Sequence, residues 1–144
     1  LKKGLSVVQG DANYDLNDFS DNSFSTVILS QTIQATIFPE KVIKNLIRIG
    51  KRAIISFPNF GFWKVRKDFF LSGKMPKNKI LPYEWFDTPN IHLCSVNDFI
   101  QLCYKNRIKI NEKVLLNEDG KKLWSKSFLE NLLTYQVIFC VSKK

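Results

Sequence analysis

The chain has 144 residues, 44% of them hydrophobic and 13% aromatic, enough for one domain with a core of its own. Its net charge of +9 lies wholly in the second part: residues 1–50 hold five basic and five acidic side chains, residues 51–144 seventeen and eight. No apolar run approaches the roughly 20 residues that cross a bilayer, and three scattered cysteines, one histidine and no CxxC argue against a zinc site, which needs about four placed ligands.

In chain order, Leu5–Gln9 is a short apolar strand candidate, and Gly10-Asp11 after it is a turn signal. Asp18 to Ser25 is polar, with a turn at Asp21-Asn22-Ser23. Thr26–Ser30 is a continuous apolar run, the pattern of a strand covered on both faces in a parallel sheet. A helix follows. Pro39 suits its first position and Glu40 its first turn. Val42, Ile43, Leu46, Ile47 and Ile49 recur at helical spacing, and Gly50 is expected as a left-handed cap. Arg52–Phe57 is a second apolar strand, stopped by Pro58. Strand, crossover helix and strand make the unit of a parallel sheet.

Beyond Pro58 the alternation breaks. Phe62–Ser72 reads as a basic amphipathic helix ended by Gly73, and Lys74 to Asn90 as a long surface segment rich in Pro, Lys and aromatics. Ser95-Val-Asn-Asp98 is close to a capping box. It opens a helix with Phe99, Leu102 and Cys103 on one face, ending near Asn106. Lys109–Leu116 is a strand, Asn117–Gly120 a turn and Leu133–Val141 a final strand. Joined without a long helix, these last two strands are expected to pair antiparallel.

Lys outnumbers Arg 18 to 4, and Ile and Asn are also abundant. This bias fits drift toward A+T-rich codons, and no nucleic-acid motif accompanies the charge. The basic, aromatic stretch Trp63–Phe70 is interrupted by Asp68 and is read as a solvated helix, not as a membrane or nucleic-acid surface. Free thiols fit a reducing compartment, the cytoplasm.

The order of elements looks like the second half of a class I S-adenosylmethionine-dependent methyltransferase. The segments "ILSQTIQAT", "ISFPNFGFWKVR" and "LPYEWFDTPNIHLCSVNDF" resemble the MetW family of methionine biosynthesis proteins, and the likeness runs from Gly4 to about Val114. It implies an α/β, Rossmann-like three-layer sandwich whose sheet, in the order 3-2-1-4-5-7-6, is mostly parallel with an antiparallel closing strand. It also implies that the glycine-rich loop and ribose-binding acid of that fold lie ahead of Leu1, because the glycines here make no GxGxxG. Residues 1–144 are then expected to form one partial domain, strands 3 to 7 with the first strands missing, weakly stable at its open edge.

The resemblance and the strand ends together give candidate residues. Asp11 matches a position that can accept from the adenine amino group; the alternative is a turn carboxylate capping local backbone. Ser30 and Gln31, with Thr32, end the strand beside the switch point where such sheets bind ligands, and Gln34 follows as a weaker candidate. Asn59 ends the next strand as a residue shaping the rim of the pocket. Tyr83, Trp85, Phe86, Asp87, Asn90 and His92 form an aromatic and polar group, read as a substrate lid or a partner contact. His92 is a general-base candidate, although a lone histidine there is also read as structural, and Cys94 lacks an activating cation. The family implies S-adenosylmethionine as cofactor and homoserine O-acyltransferase as partner. Two functions stay open: a companion subunit of that acyltransferase, and methyl transfer to a small molecule. No metal is expected.

Overall fold

A computed structural model describes residues 9–124 and 127–144. The expected strand over Leu5–Gln9 lies, except for Gln9, outside these residues. The first regular piece is one 3₁₀ turn, Asp15–Asp18. Strand β1, Val27–Ser30, is followed by a second 3₁₀ turn, Ile33–Ala35, and by helix α1, Pro39–Ile49. Proline takes the start of α1, where its missing N–H costs nothing. The apolar spacing buries Val42, Ile43, Leu46 and Ile49 on one face, each contributing about 1.5–3 kcal/mol relative to exposure.

Gly50 does not adopt the expected left-handed cap. Its φ of −118° and ψ of 145° are extended. A Cβ there would stand 2.5 Å from Val27 Cγ2 and 3.1 Å from the Arg52 carbonyl. The glycine is needed because the end of α1 passes close against the start of β1. The left-handed cap occurs instead at Gly73, φ 62°, which closes helix α2, Trp63–Ser72.

Strand β2, Ala53–Pro58, pairs in parallel with β1, Val27 opposite Ala53 and Ser30 opposite Ser56. It includes Pro58, opposite Gln136, one residue beyond its expected end. Helix α3, Val96–Lys105, starts on a complete capping box in which Ser95 and Asp98 bond each other's main-chain N–H groups. Strand β3, Ile108–Leu116, has an irregularity between Ile110 and Glu112. Helix α4, Ser127–Leu133, was not anticipated: Leu133, expected to open the last strand, closes this helix, and β4 runs over Gln136–Lys143.

The sheet order is β1-β2-β4-β3, with β4 antiparallel to both neighbours. That is the 4-5-7-6 order of the expected fold. Leu29, Ala53, Ile55, Phe57, Val137, Phe139 and Val141 turn one face of the sheet toward α1 and α3, and Phe57, Phe99 and Phe139 pack ring to ring at its centre. The opposite face carries Ile28, Ile54, Ile138 and Cys140, none of them in the core, with Ile28 67% exposed. A smaller apolar cluster of Phe60, Phe62, Val65, Ile80 and Leu81 anchors α2 and the long segment after it. The helix itself is not sharply two-faced: only Val65 is buried, and Phe70 is 86% exposed.

Candidate functional site

The parallel strands β1 and β2 end together, which places Ser30, Gln31 and Asn59 at one end of the sheet. The Ser30 and Ser56 hydroxyls lie 3.3 Å apart. At Gln31 the chain turns sharply, with φ 52°. A side chain with a Cβ reaches this left-handed region only at a cost of roughly 1–2 kcal/mol, and such residues cluster at functional sites. The conformation is held by the Gln31 N–H, which donates to the Ser56 carbonyl at 2.9 Å. The Gln31 side chain is exposed and meets no hydrogen-bond partner among the described residues.

Gln34 does more here than its sequence context indicated. It is 5% exposed. Its side-chain Nε2 donates to the Gln31 carbonyl at 3.0 Å, and its main-chain carbonyl accepts from the N–H groups of Ile91 and His92, both at 2.9 Å. This one residue ties the end of β1 to the long segment. Its side-chain Oε1 is buried without a partner among the described residues. Such an acceptor calls for an explanation, and a bound donor is one.

Asp11 is tied through Asn13 to the residues that lead into α1. One carboxylate oxygen of Asp11 accepts from the Asn13 N–H at 2.8 Å and from its Nδ2 at 2.7 Å. The Asn13 Oδ1 in turn accepts from the Ile37 and Phe38 N–H groups, which lead into α1. Asp11 therefore orders local backbone, as a turn carboxylate does, while its other oxygen is not engaged among the described residues.

Asn59 is fully buried. Its Nδ2 donates to the Asn131 and Thr134 carbonyls, and its Oδ1 accepts from the Gly61 and Val96 N–H groups. Two donors and two acceptor sites are all its amide has, so nothing remains for a ligand. Asn59 fastens the end of β2 to α3 and α4 rather than lining a rim.

The aromatic and polar group divides. Tyr83, Trp85 and Asn90 line a cavity of about 250 Å³ together with Met75, Leu81 and Ile91. Trp85 and Phe86 meet edge to face, and both are more than 70% exposed. Asp87 and His92 do not line this cavity; the His92 ring lies 3.4 Å from the Ile37 carbonyl. Burial and the nearby Asp98 carboxylate push the Cys94 thiol up to about 12, so it is protonated at neutral pH and is a poor nucleophile. Among the described residues no group of three His, Cys, Asp or Glu side chains comes together, and no helix is long and apolar enough to cross a membrane.

Strand order, crossover and site position define an α/β fold of the methyltransferase type. A SAM-dependent methyltransferase from Thermotoga maritima superposes with a TM-score of 0.64 at 19% identity, over 99% of this chain and 66% of that one. One from Archaeoglobus fulgidus gives 0.63 at 11% identity, over 99% and 69%. The sequence matches the family described as methionine biosynthesis protein MetW over residues 1–141, and the chain belongs to that family. It is also 32% identical over 118 residues to the bifunctional methionine biosynthesis protein MetXA/MetW of Rhodopirellula baltica. The match takes in 81% of this chain but spans only 19% of that protein.

Proposed function

We propose that the chain serves methionine biosynthesis as a companion subunit of homoserine O-acyltransferase, built on a methyltransferase-like fold. The observation that carries this reading is the Rhodopirellula relative, whose name joins MetXA and MetW in one bifunctional protein. Two activities in one chain are held at high effective concentration; separate chains would need a contact surface instead. The exposed Tyr83, Trp85, Phe86 and Ile91 supply one, since exposed aromatic clusters mark partner sites. Three free thiols fit a reducing compartment, the cytoplasm.

Methyl transfer to a small molecule is the second reading, favoured by the backbone of Gln31 and by the fold of the neighbours. The residues at the sheet's end fit S-adenosylmethionine: Gln31 has a side-chain amide and Gln34 a buried carbonyl that meet no partner among the described residues, and Ser30 has a hydroxyl; Asp11, on the segment tied to the entry of α1, keeps one carboxylate oxygen with no partner among those residues. When bound, that cofactor supplies a methyl group already activated by its sulfonium. The chain's own part would be to orient it. No acceptor-activating base stands out, because the Cys94 thiol is held protonated and the His92 ring faces a main-chain carbonyl.

Co-purification with homoserine O-acyltransferase separates the readings. The companion role predicts co-elution at micromolar concentration and its loss in Trp85→Ala. Two separate peaks at that concentration would leave methyl transfer as the better account, to be tested by calorimetry with S-adenosylmethionine.

A further inference from the structure

A second cavity, about 420 Å³, opens beside the end of β2 between α2 and α3. Ligand sites are typically apolar hollows of this size with a few convergent polar groups. Its walls are apolar: Phe60, Val65, Phe69, Met75, Leu81 and Leu93. Among them stand four polar side chains, Arg66, Ser95, Asp98 and Asn131.

The Ser95 hydroxyl is committed to Asp98, and the other three have unspent capacity. Arg66 uses only Nε, which donates to the Gly61 carbonyl at 2.6 Å; its terminal amino groups meet no acceptor among the described residues. Asp98 takes both Ser95 bonds, N–H at 3.0 Å and O–H at 2.6 Å, on the same oxygen, Oδ2. Oδ1 is left without a partner among the described residues. Asn131 Oδ1 is buried and likewise unpartnered. Arg66 and Asp98 line one hollow with opposite charges, and they form no ion pair with each other.

A ligand of one sign would satisfy one of these charges and crowd the other. Both side chains are exposed to solvent, and an uncharged ligand would meet neither charge. A zwitterion with an apolar body meets all the requirements at once.

We propose that this cavity binds a small apolar α-amino acid, its carboxylate on the Arg66 guanidinium, its ammonium on Asp98, and its side chain along Val65, Phe69 and Leu93. Planar guanidinium and carboxylate groups match in pairs of hydrogen bonds. Its lining does not include Ser30 or Gln31 at the end of β1, and it stands whichever reading of the protein's function holds.

Calorimetry on the full chain tests it, with L-leucine, L-methionine and L-phenylalanine as probes. The controls are 4-methylpentanoate, which lacks the ammonium, and 3-methylbutylamine, which lacks the carboxylate. At least one amino acid is expected to bind roughly tenfold or more tightly than both controls. Arg66→Gln and Asp98→Asn should each weaken it by roughly tenfold or more, with folding verified by circular dichroism. Phe69→Ala, at a half-exposed position outside the helix core, gives a second variant that does not touch the caps, and it should weaken all three amino acids without changing the thermal midpoint. No binding of any amino acid at up to about 10 mM, roughly tenfold above a millimolar Kd, would overturn the proposal. So would either control binding as tightly as the amino acids, or affinity unchanged in Arg66→Gln.

Discussion

The Asn59 Nδ2 donates to the main-chain carbonyl of Thr134 at 2.7 Å, joining positions 75 apart in sequence. With its bonds to Asn131, Gly61 and Val96 it closes the end of β2 against two helices. Removing the amide leaves four main-chain groups to find other partners, at about 1–3 kcal/mol for each that stays buried and unmet. Asn59→Ala is expected to cost about 3 kcal/mol or more in urea unfolding, a large part of the 5–15 kcal/mol typical of a domain. A loss below about 1 kcal/mol would mean that water replaces the side chain at no net cost.

Gly50 and Val27 provide a second test. Gly50→Ala should lower stability by about 1–3 kcal/mol through overpacking, because the new Cβ meets Val27 Cγ2 at 2.5 Å. Trimming the neighbour in Val27→Ala/Gly50→Ala should recover part of that loss, the Arg52 and Leu46 carbonyls limiting the rest. A double variant no more stable than the sum of the two single losses would refute the contact.

Much of this architecture was legible in the sequence, for reasons that can be stated. Pro39 and the spacing of Val42, Ile43, Leu46 and Ile49 fixed α1, and Ser95 with Asp98 fixed the start of α3, because caps and periodicity act within a few residues. What escaped notice depends on distant partners. Gly50 looks like any helix-ending glycine until Val27 is placed against it. Between Leu133 and Val137 stand only Thr134, Tyr135 and Gln136, with no glycine or proline, so nothing local marks the boundary between helix and strand. Asn59 looks like a turn residue because its one local bond, from the Gly61 N–H, is a turn bond, while its other three partners, Asn131, Thr134 and Val96, are distant in sequence. Gln34 gave no sign of pinning residues 91 and 92, and no spacing rule joins Arg66 to Asp98. The position of Ser30 and Gln31 at the end of β1 was visible because the apolar run of that strand stops there.

Gln31 should respond to relief of its backbone. Gln31→Gly is expected to raise stability by about 0.5–1 kcal/mol, since glycine adopts φ 52° without penalty but gains chain entropy when unfolded. The same change should weaken S-adenosylmethionine in calorimetry if that cofactor contacts the Gln31 amide. A variant equal to the parent in both measurements would show the turn to be neither strained nor in contact with ligand.

Burial pushes the Cys103 thiol, like that of Cys94, up to about 12 from a reference value of 9.0. The folded state therefore holds these protons where the unfolded chain would release them. The linked stability is full below about pH 9 and is lost as pH rises toward about 12. Urea midpoints should fall over that alkaline window, and less so in Cys103→Ala. At pH 8 iodoacetamide should leave Cys94 and Cys103 unmodified in the native protein and modify both in urea; rapid native labelling of either would contradict their burial.

Hydrogen exchange on the chain alone and with homoserine O-acyltransferase added tests the companion role most directly. The account predicts slowed exchange over residues 81–94, around Trp85 and Phe86, with Trp85→Ala abolishing the effect while leaving the exchange of α1 and β2 unchanged. Identical exchange with and without the acyltransferase, under conditions where that enzyme is active, would contradict it.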